Sequence, residues 1–242
     1  MITGATRGIG RALVYAFAQR GFDVAFCSGN KEDCLTLTEE LKKQYPENRY
    51  FGEVCNVADE AQIKSFVKRA WDALGSLKIL INNAGFGVFD SFENLTAEDW
   101  QRMFAVNFMG PVMLCGEMIP HFLQNGGSAK GVIVNVGSYS AEKYVPGNIA
   151  YAASKGSLKT FSEDLFCEYR KSGICVTYVS LGSVNTGFSK RFSANADMKL
   201  TPTDVAEAVA SSAEVMLSAK NLCISHLELR STTPADAPGV KE

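Results

Sequence analysis

The chain opens with MITGATRGIG, residues 1–10, in which glycines stand at positions 4, 8 and 10 directly after a very short apolar run. A helical pattern, GRALVYAFAQR, follows over residues 10–20. A glycine turn between a strand and a helix directs free N–H groups and the positive end of the helix dipole at the turn, where a phosphate can bind. The spacing differs from the common G-x-G-x-x-G fingerprint. By itself the stretch indicates either a phosphate-binding turn or an ordinary strand–helix connection.

Short apolar runs alternate with helical patterns along the rest of the chain. The runs are DVAFCS (23–28), RYFGEVC (49–55), LKILIN (77–82), GVIVNV (131–136) and ICVTYVS (174–180). Runs that are apolar on both faces are typical of buried parallel strands, and right-handed helical crossovers join such strands. We predict one α/β domain over residues 1–230, with a doubly wound sheet of about seven parallel strands between two helical layers, and a tail at 231–242.

Three helix boundaries are also predicted from local chemistry. Thr96 and Asp99 have the spacing of a capping box, and Gly21 follows the first helix where a left-handed cap belongs. Pro202 follows Thr201 at a first helical position. Because ligands of parallel sheets bind at the carboxyl ends of the strands, the loops that follow the strands are the candidate site.

Composition excludes several classes of partner. The net charge is −2 and the pI about 5.8, so long-range attraction to nucleic acid or an anionic membrane is not expected. No apolar stretch approaches the roughly 18 residues of a membrane span, and the first residues already form a strand and turn in place of a signal peptide. We predict a soluble, cytoplasmic protein.

The cysteines and histidines do not suggest a metal site. The seven cysteines lack a C-x-x-C pair and stand mostly in apolar runs, so buried free thiols are expected. His121 and His226 lack acid–histidine spacing around them, and no metal is predicted.

The loop after the second strand bears on coenzyme choice. Ser28, Gly29 and Asn30 are uncharged where an NAD site places an acidic residue on the ribose. Lys31 follows, and Arg7 lies in the glycine turn, so a 2′-phosphate would meet cations. These residues favour NADP over NAD.

Two later loops carry further candidate residues. INNAG, residues 81–85, ends a central strand with small residues that allow close approach to the backbone, although it also fits an ordinary turn. In the helix after GVIVNV, Tyr151 and Lys155 share one face, a spacing that also occurs by chance. Ser138, at the strand end, could converge with the Tyr151 phenol on one substrate oxygen.

Together these motifs resemble the short-chain dehydrogenase/reductase family from Ile2 to about Arg230. T-G-x-x-x-G-x-G at 3–10, N-N-A-G at 82–85, Asn107, Ser138 and Y-x-x-x-K at 151–155 stand in the family's order. The resemblance implies a Rossmann-type fold and hydride transfer between NAD(P)(H) and a carbonyl or alcohol.

The resemblance also implies residue roles. Tyr151 would be the general acid/base, Ser138 would bind the carbonyl oxygen and Asn107 would hold a water in a proton relay. Lys155 would hold the nicotinamide ribose and lower the pKa of Tyr151, since a cation about 4 Å away is worth about 4 kcal/mol, roughly three pKa units, at an effective dielectric constant near 20. The implied cofactor contacts are Gly4, Thr6, Arg7, Gly8, Ile9, Gly10, Ser28, Asn30, Asn56, Val57, Asn83, Ala84, Gly85, Tyr151, Lys155, Gly182, Val184 and Thr186.

The chain departs from the family pattern at several positions. Asn56 replaces the frequent Asp of C-D-V, and Leu181-Gly182 replaces P-G, while Thr186 is retained. The ending NLCISHLELRSTTP, from residue 221, lacks the V-D-G-G-like segment of fatty-acid-synthesis reductases. It is more similar to the branch of NADP-dependent 3-hydroxy acid and serine dehydrogenases.

We therefore expect an NADP-dependent enzyme acting on a small hydroxy acid, hydroxy ketone or related carbonyl. Lys190 and Arg191 could meet a substrate carboxylate or belong to a solvated loop. A 3-oxoacyl-thioester reductase is the alternative enzyme, and a non-catalytic cofactor-binding regulator is the alternative of another class. The resemblance implies a homodimer or homotetramer built on the long helices at 96–124 and 149–171.

The strand before the glycine turn is unusually short. Only Met1, Ile2 and Thr3 precede Gly4, and a central strand without its first half would leave backbone groups of its neighbours unpaired. We predict that residues precede Met1 in the native gene product.

Overall fold

The computed structural model describes residues 1–125, 130–143, 145–188 and 199–232. Its centre is a seven-stranded sheet in the order β3-β2-β1-β4-β5-β6-β7, in which every pair is parallel. The predicted doubly wound, Rossmann-type α/β fold with about seven strands is confirmed. The strands are β1 (Ile2–Thr3), β2 (Val24–Ser28), β3 (Tyr50–Val54), β4 (Ile79–Asn82), β5 (Gly131–Val136), β6 (Ile174–Leu181) and β7 (His226–Leu229).

Seven α-helices connect or cover the described strands. They are α1 (Gly8–Gln19), α2 (Lys31–Gln44), α3 (Glu60–Leu74), α4 (Ala97–Phe104), α5 (Gly110–Gln124), α6 (Ile149–Tyr169) and α7 (Pro202–Ser218). One π-helical turn, Ala105–Met109, joins α4 to α5, and 3₁₀ turns lie at Phe92–Asn94, Tyr139–Ala141 and Arg170–Ser172.

The predicted helix boundaries are confirmed. Capping boxes form at Thr96 with Asp99 and at Thr201, with Pro202 in the first turn of α7. Gly21, just past the end of α1, has a φ of 79°, in the left-handed region that favours glycine.

Alternating residues of the central strands pack into two separate cores. Ile79 and Ile81 of β4 pack with α1, α2 and α7. Leu80, between them, packs with α3, α5 and α6 on the other face. Because successive side chains of a strand point to opposite faces, both faces of the sheet are buried and its binding edges lie at the strand ends.

The short first strand pairs further than its two assigned residues. The amino group of Met1 donates to the carbonyl oxygen of Ile79 at 2.7 Å, and the Met1 carbonyl accepts from the Ile81 N–H at 2.8 Å. Burial lowers the pKa of the Met1 amino group to about 5. The expectation of further residues before Met1 stays a prediction.

One helical run differs from the prediction that no stretch is long and apolar enough for a membrane span. Ala97–Gln124, which spans α4, the π-turn and α5, has a mean hydropathy of 1.3 and could cross a membrane by length and composition. Of its most apolar window 44% is buried inside the molecule, where α5 packs against α3, β4 and β5. A core helix meets the same length and composition criteria, and sequence alone does not reveal this packing.

All seven cysteines are free thiols. Cys27, Cys34, Cys55 and Cys115 are buried as expected, but Cys167 is exposed on α6. The remaining two, Cys175 and Cys223, are partly exposed.

Candidate active site

The glycine turn lies at the carboxyl edge of the sheet, between β1 and α1. Gly4 and Gly8 have φ values of 63° and 53°, and α1 begins at Gly8. Arg7 occupies the N-cap position in an extended conformation, and its exposed side chain does not cap the helix. The first N–H groups of α1 thus point into the turn, as a phosphate site requires.

Two glycines let the turn pack against the loop after β4. A Cβ on Gly10 would lie 2.1 Å from the Gly4 carbonyl oxygen, and a Cβ on Gly4 would lie 2.8 Å from the Cα of Ala84. Neither distance is possible for real atoms, so these positions require glycine. The structure thus brings the glycine turn and the predicted cofactor contacts at 83–85 into direct contact.

Asn83 fastens this contact with its side chain. Its amide nitrogen donates to the carbonyl oxygens of Thr3 at 2.9 Å and Gly4 at 3.1 Å. The Thr3 hydroxyl accepts from the N–H groups of Asn83 and Ala84. The Asn83 side chain therefore shapes the turn, which leaves the small residues of the segment to face a ligand.

The predicted coenzyme-discriminating residues form local hydrogen bonds. Asn30 caps α2 by accepting from the N–H groups of Glu32 and Asp33, and the Ser28 hydroxyl bonds the Asn30 backbone. Asn56 likewise closes a turn by accepting from the Ala58 N–H. The side-chain oxygens of both asparagines are engaged, whereas the cationic side chains of Arg7 and Lys31 are exposed.

The loop after β6 returns to the glycine turn. The Gly182 N–H donates to the Leu229 carbonyl, and Val184 bridges to Leu200. The methyl of Thr186 lies 3.4 Å from where a Cβ on Gly8 would stand. Lys190 and Arg191, the predicted carboxylate contacts, lie outside the described residues.

Asn107 lies fully buried in the π-helical turn between α4 and α5. Its amide nitrogen donates to the Phe86 carbonyl at 2.9 Å and the Ser154 hydroxyl at 3.0 Å, and its oxygen accepts from the Phe86 N–H at 3.0 Å. A π-turn frequently marks a functional site, because it re-aims one side chain within a long helix. Asn107 thus links the loop after β4, through Phe86, to α6, through Ser154.

Ser138, Tyr151 and Lys155 converge next to Asn107. The Ser138 hydroxyl lies close enough to the Tyr151 phenol to lower its pKa. The Lys155 ammonium donates to the Val136 carbonyl at 2.7 Å and lies 3.5 Å from where a Cβ on Gly85 would stand. The four predicted catalytic side chains therefore share one buried corner at the carboxyl edge.

The protonation of this corner differs from the sequence expectation. Burial raises the pKa of Tyr151 to about 12, with Ser138 opposing the rise, and burial lowers the pKa of Lys155 to about 8. The lowering of the Tyr151 pKa that the resemblance implied is therefore not found. The rings of Phe89 and Phe188 lie 5.4 Å and 5.8 Å from the Tyr151 ring, and burial of the phenol disfavours its charged form.

Comparison with known proteins settles the family. A model of the short chain dehydrogenase family matches residues 1–197. The chain belongs to the short-chain dehydrogenase family. Sulfoacetaldehyde reductase 2 of Chromohalobacter salexigens is 33% identical over 78% of this chain and 73% of its own length.

Solved structures of other short-chain dehydrogenases share the fold. The closed form of a serine dehydrogenase complexed with NADP⁺ has a TM-score of 0.86 and 26% identity, covering 100% of this chain and 97% of that one. A 3-ketoacyl-(acyl-carrier-protein) reductase of Brucella melitensis, complexed with NADH, has a TM-score of 0.85 and 26% identity, covering 96% of both chains.

Sequence reasoning missed Tyr178, a buried residue behind the site of this short-chain dehydrogenase. Its hydroxyl accepts from the Ser138 N–H at 3.1 Å and donates to the Ser138 carbonyl at 3.2 Å. Gly137 makes room for it, since a Cβ there would lie 2.0 Å from the Tyr178 ring. The only sequence signal is a tyrosine inside an apolar strand, whose hydroxyl must find a partner when buried.

A second grouping missed by sequence lies behind Tyr178. The side-chain atoms of Glu142, His226 and Glu228 that could bind a metal ion lie within 4.8 Å of one another. Lys159 and His226 each approach the same Glu142 oxygen at 3.6 Å, and Arg230 pairs with Glu228. The cationic side chains of Lys159 and Arg230 thus already balance the negative charges of Glu142 and Glu228.

Proposed function

We propose that this short-chain dehydrogenase transfers a hydride between NADP(H) and a carbonyl or secondary alcohol, with Tyr151 as general acid/base. The observation that carries the proposal is the meeting of the Ser138 and Tyr151 hydroxyls with Lys155 and Asn107 in one buried corner. Two hydroxyls within reach of each other can hold one substrate oxygen, and one of them can transfer its proton.

The shape of the turn fits a dinucleotide. Gly4 and Gly10 have no room for a Cβ, and the uncapped start of α1 at Gly8 faces the same turn. Residues 4–10 would hold the pyrophosphate, residues 83–85 and Thr186 would lie near the nicotinamide, and Arg7 would meet a 2′-phosphate. When bound, the nicotinamide supplies or accepts the hydride.

Each side chain of the corner has a separate task in this proposal. Ser138 binds the carbonyl oxygen, and Tyr178 fixes Ser138 from behind. Tyr151, protonated at neutral pH, gives its proton to the oxygen during reduction. Lys155 would hold the ribose and place a positive charge near the phenol. Asn107, which bonds the backbone of Phe86, would hold a relay water.

The partners of this enzyme remain proposals as well. The rings of Trp100, Phe104, Phe108 and Phe161 form a partly buried row across α4, the π-turn and α6, with successive centroids 6.1–6.4 Å apart. Met109 and Ile149, near this row, are 44% and 48% exposed. An apolar surface of this kind supports a homodimer or homotetramer built on these helices. The cytoplasmic location stays a prediction.

The first test of this function is coenzyme preference. We expect the purified protein to oxidise NADPH in the presence of a carbonyl with higher catalytic efficiency than NADH. Arg7→Ala should raise the KM for NADPH about tenfold, the value of one charge-assisted phosphate contact, and leave the KM for NADH nearly unchanged.

Arg49→Ala provides the matched control for coenzyme choice. Arg49 pairs with Asp23 at the opposite edge of the sheet, so its removal should change neither KM. A higher efficiency with NADH in the unmodified protein would overturn the coenzyme assignment.

The second test is the pH dependence of Lys155→Met. Alcohol oxidation requires the phenolate of Tyr151, whose pKa burial already holds at about 12. A nearby cation favours the phenolate, so its loss should raise that pKa further and move the pH profile of oxidation upward by about one unit or more. Lys159→Met, one turn further along α6, should leave the profile in place. An unmoved profile in Lys155→Met would contradict the role of Lys155.

A further inference from the structure

Two aromatic rings from separate segments cover the Tyr151 phenol. Phe89, in the loop after β4, meets the Tyr151 ring edge-on, with centroids 5.4 Å apart. Phe188, in the loop after β6, lies 5.8 Å from the Tyr151 ring and 6.1 Å from the Phe89 ring. Only 8% of Tyr151 is exposed.

The loop after β4 holds the Phe89 ring in this position. A Cβ on Gly87 would lie 2.4 Å from the tip of the Phe89 ring, so the ring packs directly on the Gly87 backbone. The Val88 N–H contacts the Met103 sulfur at 3.4 Å and ties the loop to α4. The inward position of Phe89 is therefore fixed by its own loop.

The surroundings of these rings are apolar. Tyr151 belongs to a cluster whose buried members include Met103 and Ala150, with Phe86 and Trp100 packed against them. This wall lies next to the two hydroxyls that would hold the substrate oxygen. The substituent of the carbonyl would pack against the Phe89 and Phe188 rings.

The described charges near the phenol leave little support for an anionic substituent. The Lys155 ammonium donates to the Val136 carbonyl. The Arg102 guanidinium lies over the Phe86 ring, 5.4 Å from the ring centroid. A carboxylate or sulfonate beside Tyr151 would lose its water and oppose the phenolate by like charge. A neutral apolar substituent would gain by the same burial.

We infer that the substrate is a neutral carbonyl or secondary alcohol carrying an aromatic or branched aliphatic group, and that Phe89 and Phe188 determine this specificity. The inference rests on the proposed function and narrows it. It differs from the small hydroxy acid that the sequence resemblance implied, whose possible carboxylate contacts Lys190 and Arg191 lie outside the described residues.

Matched pairs of carbonyls test the substrate class. With NADPH, acetophenone is compared with acetoacetate, and benzaldehyde with sulfoacetaldehyde. We expect kcat/KM to be about tenfold or more higher for the aromatic member of each pair, the gain from burying one such group. A preference for the two anionic compounds would overturn the inference and leave the proposed function intact.

Substitutions of the two rings test the specificity-determining residues. Phe89→Ala and Phe188→Ala should each raise the KM for acetophenone and reduce the aromatic preference, while Phe89→Leu should restore part of it. Phe92→Ala, in the same loop at a ring that is 65% exposed, is the matched control and should keep the preference. If both alanine variants keep it too, the assignment to these rings is wrong.

A binding measurement distinguishes failure of the proposed function from failure of the proposed substrate class. Saturation-transfer NMR on the full chain with NADPH should show acetophenone, and not acetoacetate, in contact with the protein, and Phe89→Ala should weaken the signal. Binding without turnover of any carbonyl would count against the proposed function alone. Equal or stronger signals from acetoacetate would count against the apolar site.

Discussion

Tyr151→Phe should lower the catalytic rate by about 10²- to 10⁴-fold, the usual contribution of a positioned general acid or base. The substitution removes one oxygen from a ring held by Phe89 and Phe188, so the packing of the corner should survive. Single-turnover absorbance of NADPH measures the rate, and quenching of protein fluorescence measures NADPH binding. We expect the binding constant to change little.

Tyr169→Phe is the control for this prediction. Tyr169 is the last residue of the same helix, α6, and its loss of a hydroxyl should leave the rate unchanged. A Tyr151→Phe enzyme with more than about one tenth of the normal rate would remove Tyr151 from the role of proton donor.

Gly10→Ala should distort the proposed cofactor site. The new methyl carbon would lie 2.1 Å from the Gly4 carbonyl oxygen and 2.5 Å from the Asn83 amide nitrogen, so both the glycine turn and its contact with the loop after β4 must move. Displacement of the turn by about 1 Å should lower kcat/KM on the order of a hundredfold. Overpacking should also cost about 1–3 kcal/mol of unfolding free energy.

Calorimetric titration with NADPH and urea unfolding measure these two effects separately. Gly116→Ala is the matched control, since Gly116 is also helical but has nothing within 4 Å of the position of its Cβ. That variant should keep NADPH affinity and gain up to about 1 kcal/mol of stability from helix propensity. Normal NADPH affinity in Gly10→Ala would refute the role of the turn.

Much of the fold could be predicted because its signals are local. Apolar runs such as GVIVNV specify buried strands, and the Thr96 and Thr201 caps specify where two helices start, without reference to distant residues. Strand β7 was harder to predict, since HLEL at 226–229 is short and alternates in polarity. It forms because β6 offers it an edge, with Tyr178 opposite His226.

In the candidate site too, some features could be predicted from the sequence and others could not. The fold rule for parallel sheets already placed residues 4–10, 83–85, Ser138 and Tyr151 at one edge, because the carboxyl ends of all strands meet there. Which atoms remain available to a ligand depends on contacts between segments. The side chain of Asn83 bonds Thr3 and Gly4, 79 or 80 positions earlier, and no local pattern indicates this.

The sequence by itself determined the doubly wound sheet, and it predicted the edge of the candidate site and the candidate residues Asn107, Ser138, Tyr151 and Lys155. Only the tertiary structure decided how those groups ionise. Burial raises the pKa of Tyr151 to about 12, and the rings packed against it include Phe89 and Phe188, 62 and 37 positions away in the chain (151 − 89 and 188 − 151). Solvation of a charge depends on everything within a few ångströms, and the neighbours that a residue acquires on folding are not written in its own stretch of sequence.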